Sequence, residues 1–256
     1  MILRRITEHV KAQNWFAVGL DFVIVVVGVF IGIQVANWNE ARRDREAEVI
    51  YLDRLEREIA EISTEAAARR ETVRELFGRI VEVRDFFATG EGAEALGGEH
   101  CAALARSHIF AGTIFYPPTI KELIATGRIV LIRDDAIRTA ILSFDQTNAE
   151  LSQLRTDIQI DRLPLARVYP ELIDSGLSSW EDSICDFAAM AGNRAFLNDF
   201  TDNMRRYDAY ASQVTKRQSD VLTSLGAAVA SGLTKRPLQA SAQANQAGPT
   251  ETPGDD

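Results

Sequence analysis

The sequence has only two cysteines and three histidines, and all seven of its prolines lie beyond Tyr116. Two thiols are too few for a disulfide framework to stand in for a core, and no proline interrupts helix formation in the first 116 residues. Basic residues are in the minority, 28 Lys and Arg against 37 Asp and Glu, for a formal charge of −9. That balance supplies no general attraction to phosphate backbones, so no nucleic-acid partner is expected. The sequence contains no phosphate loop, no G-x-S-x-G and no H-E-x-x-H, the motifs that carry phosphate binding, serine hydrolysis and zinc hydrolysis. With 46% hydrophobic residues over 256 positions, the chain can nevertheless bury a real core, which excludes a wholly disordered protein.

Charge is missing altogether between Phe22 and Asn39. From Phe16 to Ala36 only Asp21 and Gln34 are polar, a run about as long as a helix needs to cross a bilayer core. Trp15 and Trp38 bracket it, as amphipathic aromatics do at the two headgroup levels. A signal peptide has a shorter apolar stretch and a small-residue cleavage site, and a soluble core helix would have to bury the run Val23 to Val29 on all sides. The reading is therefore a transmembrane helix, with the lipid bilayer as its first partner. Ile2, Ile6 and Val10 recur at helical spacing among Arg4, Arg5 and Lys11, which predicts an interfacial arm lying on the membrane surface. Arg42, Arg43 and Arg45 after the span nearly balance the positive charges before it. The short arm is expected to stay in the cytoplasm while the long C-terminal part is translocated, placing the main domain in the periplasm of a bacterial inner membrane.

The string FVIVVVGVFIGIQVANWNE, Phe22 to Glu40, resembles a bacterial family of uncharacterised single-pass membrane proteins whose apolar helix closes on Asn-Trp-Asn-Glu. A weaker likeness is ELIATGRIVLIRDDAIRTAI, Glu122 to Ile141, similar to that family's later helix, glycine turn, apolar link and helix. The resemblance implies a topology and carries no activity.

Beyond the span, Leu52, Leu55, Ile59, Ile62, Ala66, Arg69, Val73, Leu76, Ile80, Val83 and Phe87 alternate in steps of three and four, a coiled-coil or bundle seam with Arg69 as its one charged interruption. TGEGAEALGG ends that helix near Thr89. A short helix is expected over Cys101 to Phe110, and another from about Thr119 to Thr126 with Gly127 as its stop. Asp134 or Asp135 caps a long helix that buries Ile137, Ile141, Phe144, Asn148, Leu151 and Ile158. A last long helix, Arg194 to about Ser231, has Phe200, Met204, Tyr207, Ala211, Val214, Val221, Leu225 and Ala228 on its seam. No sheet is expected; IVLI at 129–132 is the one strand-like tetrad and has no partner.

The fold class is thus all-α: an N-terminal transmembrane helix followed by a long amphipathic helix and an irregular antiparallel helical bundle. The expected divisions are a cytoplasmic interfacial arm 1–14, the transmembrane helix 15–38, a helical bundle domain 39–232 and a disordered tail 233–256, which is short of large apolar residues.

Cys101 and Cys185 are either joined in one disulfide, if the domain lies in an oxidising compartment, or two separate buried thiols. His100, Cys101 and His108 match no zinc spacing, and no metal or cofactor is expected. Arg133, Asp134, Asp135 and Arg138 are explained by helix capping. Gly28, Gly32 and Ala36 form a small-residue stripe of the kind along which membrane helices pair, and Asp21 shares their face, which makes these four residues a candidate homodimer interface. Asp21 alternatively reaches the cytoplasmic surface. With no catalytic motif, the expected function is that of a membrane-anchored interaction or scaffold protein with an unknown protein partner. The alternative is a periplasmic ligand-sensing bundle that acts through a partner.

Overall fold

The computed structural model describes residues 15–110, 112 and 114–246, with side chains at 20, 22–110, 112 and 114–234. The expected interfacial arm 1–14 and the last ten residues of the expected tail, 247–256, lie outside the described residues. The protein is all-α, and the described chain divides into two compact units, 1–50 and 51–256. That division falls later than the end of the apolar run, inside one unbroken helix, α1 (Trp15–Thr89).

In the first unit the described apolar side chains of α1 are exposed. Phe22 is 70% exposed and Phe30 61%, and every described residue from Phe22 to Glu46 is exposed. This is a helix long and apolar enough to cross a membrane.

The second unit is built from the remainder of α1 together with α2 (Gly98–Ala105), α3 (Pro118–Ala125), α4 (Asp135–Gln159), α5 (Leu165–Val168), α6 (Phe187–Gly192), α7 (Arg194–Ala209) and α8 (Lys216–Gln246). Short polar side chains start several of them. Asp134 accepts from the backbone N–H of Ala136 at 2.8 Å and of Ile137 at 3.2 Å, Asp186 from Ala189, and Asn193 from Phe196, each satisfying donors that a helix leaves orphaned at its first turn. Pro118 opens α3 at the position where its missing N–H is harmless. Gly127 adopts φ +70° after that helix, a left-handed turn that stops it.

Two apolar clusters fill this unit. One gathers Leu52, Leu55 and Ile59 of α1 with Ile120 and Leu123 of α3, Ile137, Ile141 and Phe144 of α4, and Leu222, Leu225 and Val229 of α8. The other joins Val73, Leu76, Ile80 and Val83 of α1 to α2, to Ile158, to Met190 and to Phe196, Phe200, Tyr207, Tyr210 and Val214. Each fully buried Leu, Ile or Phe contributes about 1.5–3 kcal/mol relative to exposure. Helices α4 and α8 run antiparallel, with Ile137 against Gly232 at one end and Glu150 paired with Arg217 at 3.1 Å further along.

IVLI at 129–132 pairs with no strand, as expected: Arg128–Leu131 forms a 3-10 turn. Other expectations need correction. A minimal sheet occurs elsewhere, β1 (Ile173–Asp174) antiparallel to β2 (Ile184–Cys185), with Ile173 opposite Cys185. The seam of the last helix shifts as well. Residues Tyr210–Thr215 form a π turn between α7 and α8, and the buried positions beyond it are Gln218, Leu222, Leu225 and Val229 instead of Val221 and Ala228. A π turn adds one residue to the helix, so every face downstream rotates by one position. The backbone of α8 also continues to Gln246, into the segment whose composition predicts disorder; its many Ala and Gln are good helix formers.

Candidate functional site

The helices cross from one apolar cluster to the other, and three of them carry a polar residue at the crossing. On α1, Arg69 stands between Ala66 of the first cluster and Val73 of the second; on α4, Asn148 follows Phe144 and precedes Ile158; past the π turn, Gln218 separates Val214 from Leu222. Asn148 and Gln218 are almost fully buried, and both donate to the Phe115 carbonyl, at 2.9 and 3.3 Å. That carbonyl belongs to the segment leading into α3, so the polar waist holds an irregular strand of chain whose backbone would otherwise be buried unpaired. Asn148 Oδ1 is buried with no hydrogen-bond partner.

Beside the waist lies a cationic group. The guanidinium of Arg69 packs against Gly112, whose φ is +108°; a Cβ built there would lie 2.9 Å from its Nε. Tyr207 and Tyr210 are both buried, with rings 6.0 Å apart. Burial pushes both phenols above their usual range, and the charge of Arg69 opposes this at each, joined by Arg106 at Tyr207 and Arg155 at Tyr210. Arg155 Nε is itself buried without a partner. Nearby in the chain, His108 has a buried, unpartnered Nδ1, and its pKa is lowered by burial and then by the charge of Arg162. In the sequence Arg69 stands out only as the charged interruption of a seam and Tyr207 only as a seam residue of the last helix, while Arg155 and Tyr210 carry no local signal.

The structure separates the other sequence candidates. Cys101 of α2 and Cys185 of β2 are joined by a disulfide, S–S 2.07 Å and Cα–Cα 5.5 Å, with Cys101 fully buried. His100 belongs to a different arrangement from His108: its Nε2 lies 2.6 Å from Glu82, while its Nδ1 accepts from the Gly97 N–H. Among the described residues no group of three or more His, Cys, Asp and Glu is placed to hold a metal ion. Arg138 bonds Asp135 and donates to the Ile132 carbonyl, pinning the start of α4. Gly28 and Gly32 lie on α1 with open space around them, and Ala36 is exposed; the side chain of Asp21 lies outside the described ones. The loop between the strands presents Leu177, fully exposed, and Trp180, with Ile184 exposed on β2.

The fold defines an all-α protein in which, among the described residues, one helix is long and apolar enough to cross a bilayer. Neither a protein-family model, nor a characterised protein, nor a solved structure matches the chain.

Proposed function

We propose that the chain is a single-pass protein of a bacterial inner membrane that carries its helical domain in the periplasm and works there as an interaction or scaffold module. The observation that carries this reading is the exposed apolar surface of α1: Phe22 to Val35 offers only hydrophobic side chains, glycines and Gln34, and each of them is exposed among the described residues. Water is a poor solvent for a surface of that extent, and lipid is a good one. The Cys101–Cys185 disulfide is consistent with an oxidising compartment. Exposed Leu177, Trp180 and Ile184 offer the domain an apolar patch for a protein partner. Gly28, Gly32 and Ala36, with Asp21, are proposed to pair two copies within the membrane.

Topology is tested by alkaline phosphatase fused after Asp256. Activity there, with a fluorescent protein at the same position remaining dark, is the expected result; the reverse pattern places the domain in the cytoplasm and removes the argument from compartment. An interaction role predicts that the full chain, cross-linked in membranes and extracted in detergent, carries one stoichiometric protein partner, and that charged substitutions at Leu177 and Trp180 release it.

A further inference from the structure

The second unit displays apolar side chains where its charge is of one sign. From Val168 to Asn193 the sequence holds Glu171, Asp174, Glu181, Asp182 and Asp186, all exposed, and no Lys or Arg. Leu177, Trp180 and Ile184 stand exposed among them. Contacts place these groups together: Ile184 is paired with Asp174 across β1 and β2, and Leu177 lines an open groove of about 410 Å³ with Asp174, Gly176 and Asp182. Leu177 and Trp180 line a second groove beside it. Among the described residues Arg106 is the one cation within ion-pair reach of this segment, 4.0 Å from Glu181. Helix α2, packed against it, adds Glu99, which is paired with Arg79 at 2.8 Å. The loop is fastened at several points. The Cys101–Cys185 disulfide ties its end to α2, the Gly176 N–H donates to Ser183 Oγ at 3.2 Å, and the Ser179 N–H donates to Asp182 at 3.0 Å. Apolar side chains presented on a fastened loop lose little freedom when a partner covers them.

We infer that this loop is a docking site for a cationic segment of another protein, in which an apolar side chain seats against Leu177 and Trp180 while lysine or arginine on either side faces Asp174 and Asp182. The inference rests on the interaction-module reading above and supplies the chemistry of its partner. Charge selects the occupant. A second copy docked through the same patch would set Asp174 and Asp182 against acids of its own. An anionic lipid surface would meet the same repulsion. A cationic segment covers the apolar side chains and neutralises their rim at once, and a rim of one sign speeds encounter with such a partner while rejecting acidic ones.

The test titrates the full chain, in a nonionic detergent, into short dye-labelled peptides and reads fluorescence anisotropy. One peptide alternates lysine and leucine, a second glutamate and leucine, a third lysine and serine. Saturable binding of the lysine–leucine peptide, weakening as sodium chloride is raised, is expected, with neither control peptide bound. Asp174→Asn combined with Asp182→Asn should weaken that binding about tenfold, and the asparagine at 182 keeps an acceptor for the Ser179 N–H. Leu177→Ser should weaken it as much; the side chain is fully exposed, so the thermal midpoint stays where it was. Glu71→Gln, which removes an exposed acid of α1, leaves binding unchanged. The proposal is overturned if the lysine–leucine peptide gives no saturable binding, if the glutamate–leucine peptide binds as tightly, or if the aspartate and Leu177 variants bind as the unaltered chain does. It is overturned equally if Leu177→Ser converts a dimer of the chain to monomer, which makes the patch a contact between copies. Each of these outcomes leaves the interaction-module reading standing, because that reading falls only when cross-linking in membranes yields no stoichiometric partner.

Discussion

Glu58 caps the first turn of a helix through a residue 61 positions further along the chain: its carboxylate accepts from the backbone N–H of Thr119 at 2.9 Å and from the Thr119 hydroxyl at 2.7 Å. The same hydroxyl accepts from Arg54 Nε at 2.5 Å, and Arg54 also pairs with Glu122, which in turn accepts from the Tyr51 hydroxyl at 2.8 Å. A helix that opens on the second of two prolines and lacks a side-chain cap of its own is thereby fastened to α1 by α1's own side chains.

Removing that cap has a cost typical of a helix N-terminus. Glu58→Ala and Thr119→Ala should each lower unfolding stability by about 1–2 kcal/mol in urea titrations, and the double variant should lose less than the sum. Strict additivity indicates that the two side chains do not cooperate.

The disulfide closes a separation of 84 residues between α2 and β2. Cys101→Ser with Cys185→Ser is expected to lower stability by about 2–4 kcal/mol, chiefly by freeing the unfolded chain. Urea midpoints with and without reductant check this, and a reductant effect that persists in the double variant points to another cause.

High pH should weaken the second unit. Burial raises the phenols of Tyr207 and Tyr210, and Tyr116 is raised by burial and then by its hydrogen bond to Asp145. A neutral acid whose folded pKa exceeds the unfolded value near 10 contributes stability that is fully present below pH ~10 and is lost as the pH rises towards the folded pKa. Each such tyrosine steepens the fall by about 1.4 kcal/mol per pH unit in that window. Tyr207→Phe should therefore show a shallower loss above pH ~10, read from urea melts alongside phenolate absorbance.

Two glycines predict opposite signs. A Cβ at Gly78 meets nothing within 4 Å, so Gly78→Ala in the middle of α1 should stabilise by about 0.5–1 kcal/mol. At Gly98 a Cβ would lie 2.7 Å from the Glu181 carbonyl oxygen, a backbone atom, and Gly98→Ala should destabilise by about 1–3 kcal/mol. Thermal midpoints of the two variants moving in the same direction contradict this packing.

Pairing through α1 is open to a direct measurement. With Gly28→Ile or Gly32→Ile, association of the apolar segment in a bacterial membrane reporter should fall severalfold, since a bulky side chain keeps the backbones apart. Unchanged association in both variants means the glycine face is not the interface.

Local pattern was enough to read the apolar run of α1, the seam from Leu52 to Val83, the Asp134 cap and the buried face of α4 from Ile137 to Ile158, because each depends on residues within a few turns of one another and on helical periodicity alone. Past Thr215 that method failed, since a single π turn hands burial from Val221 and Ala228 to Leu222 and Val229. The Glu58 cap on α3 and the Asn148 and Gln218 bonds to Phe115 were decided only by tertiary structure. Their partners lie tens of residues apart, and a sequence states what each side chain can donate or accept without stating which distant group the packing of two apolar clusters will bring within reach.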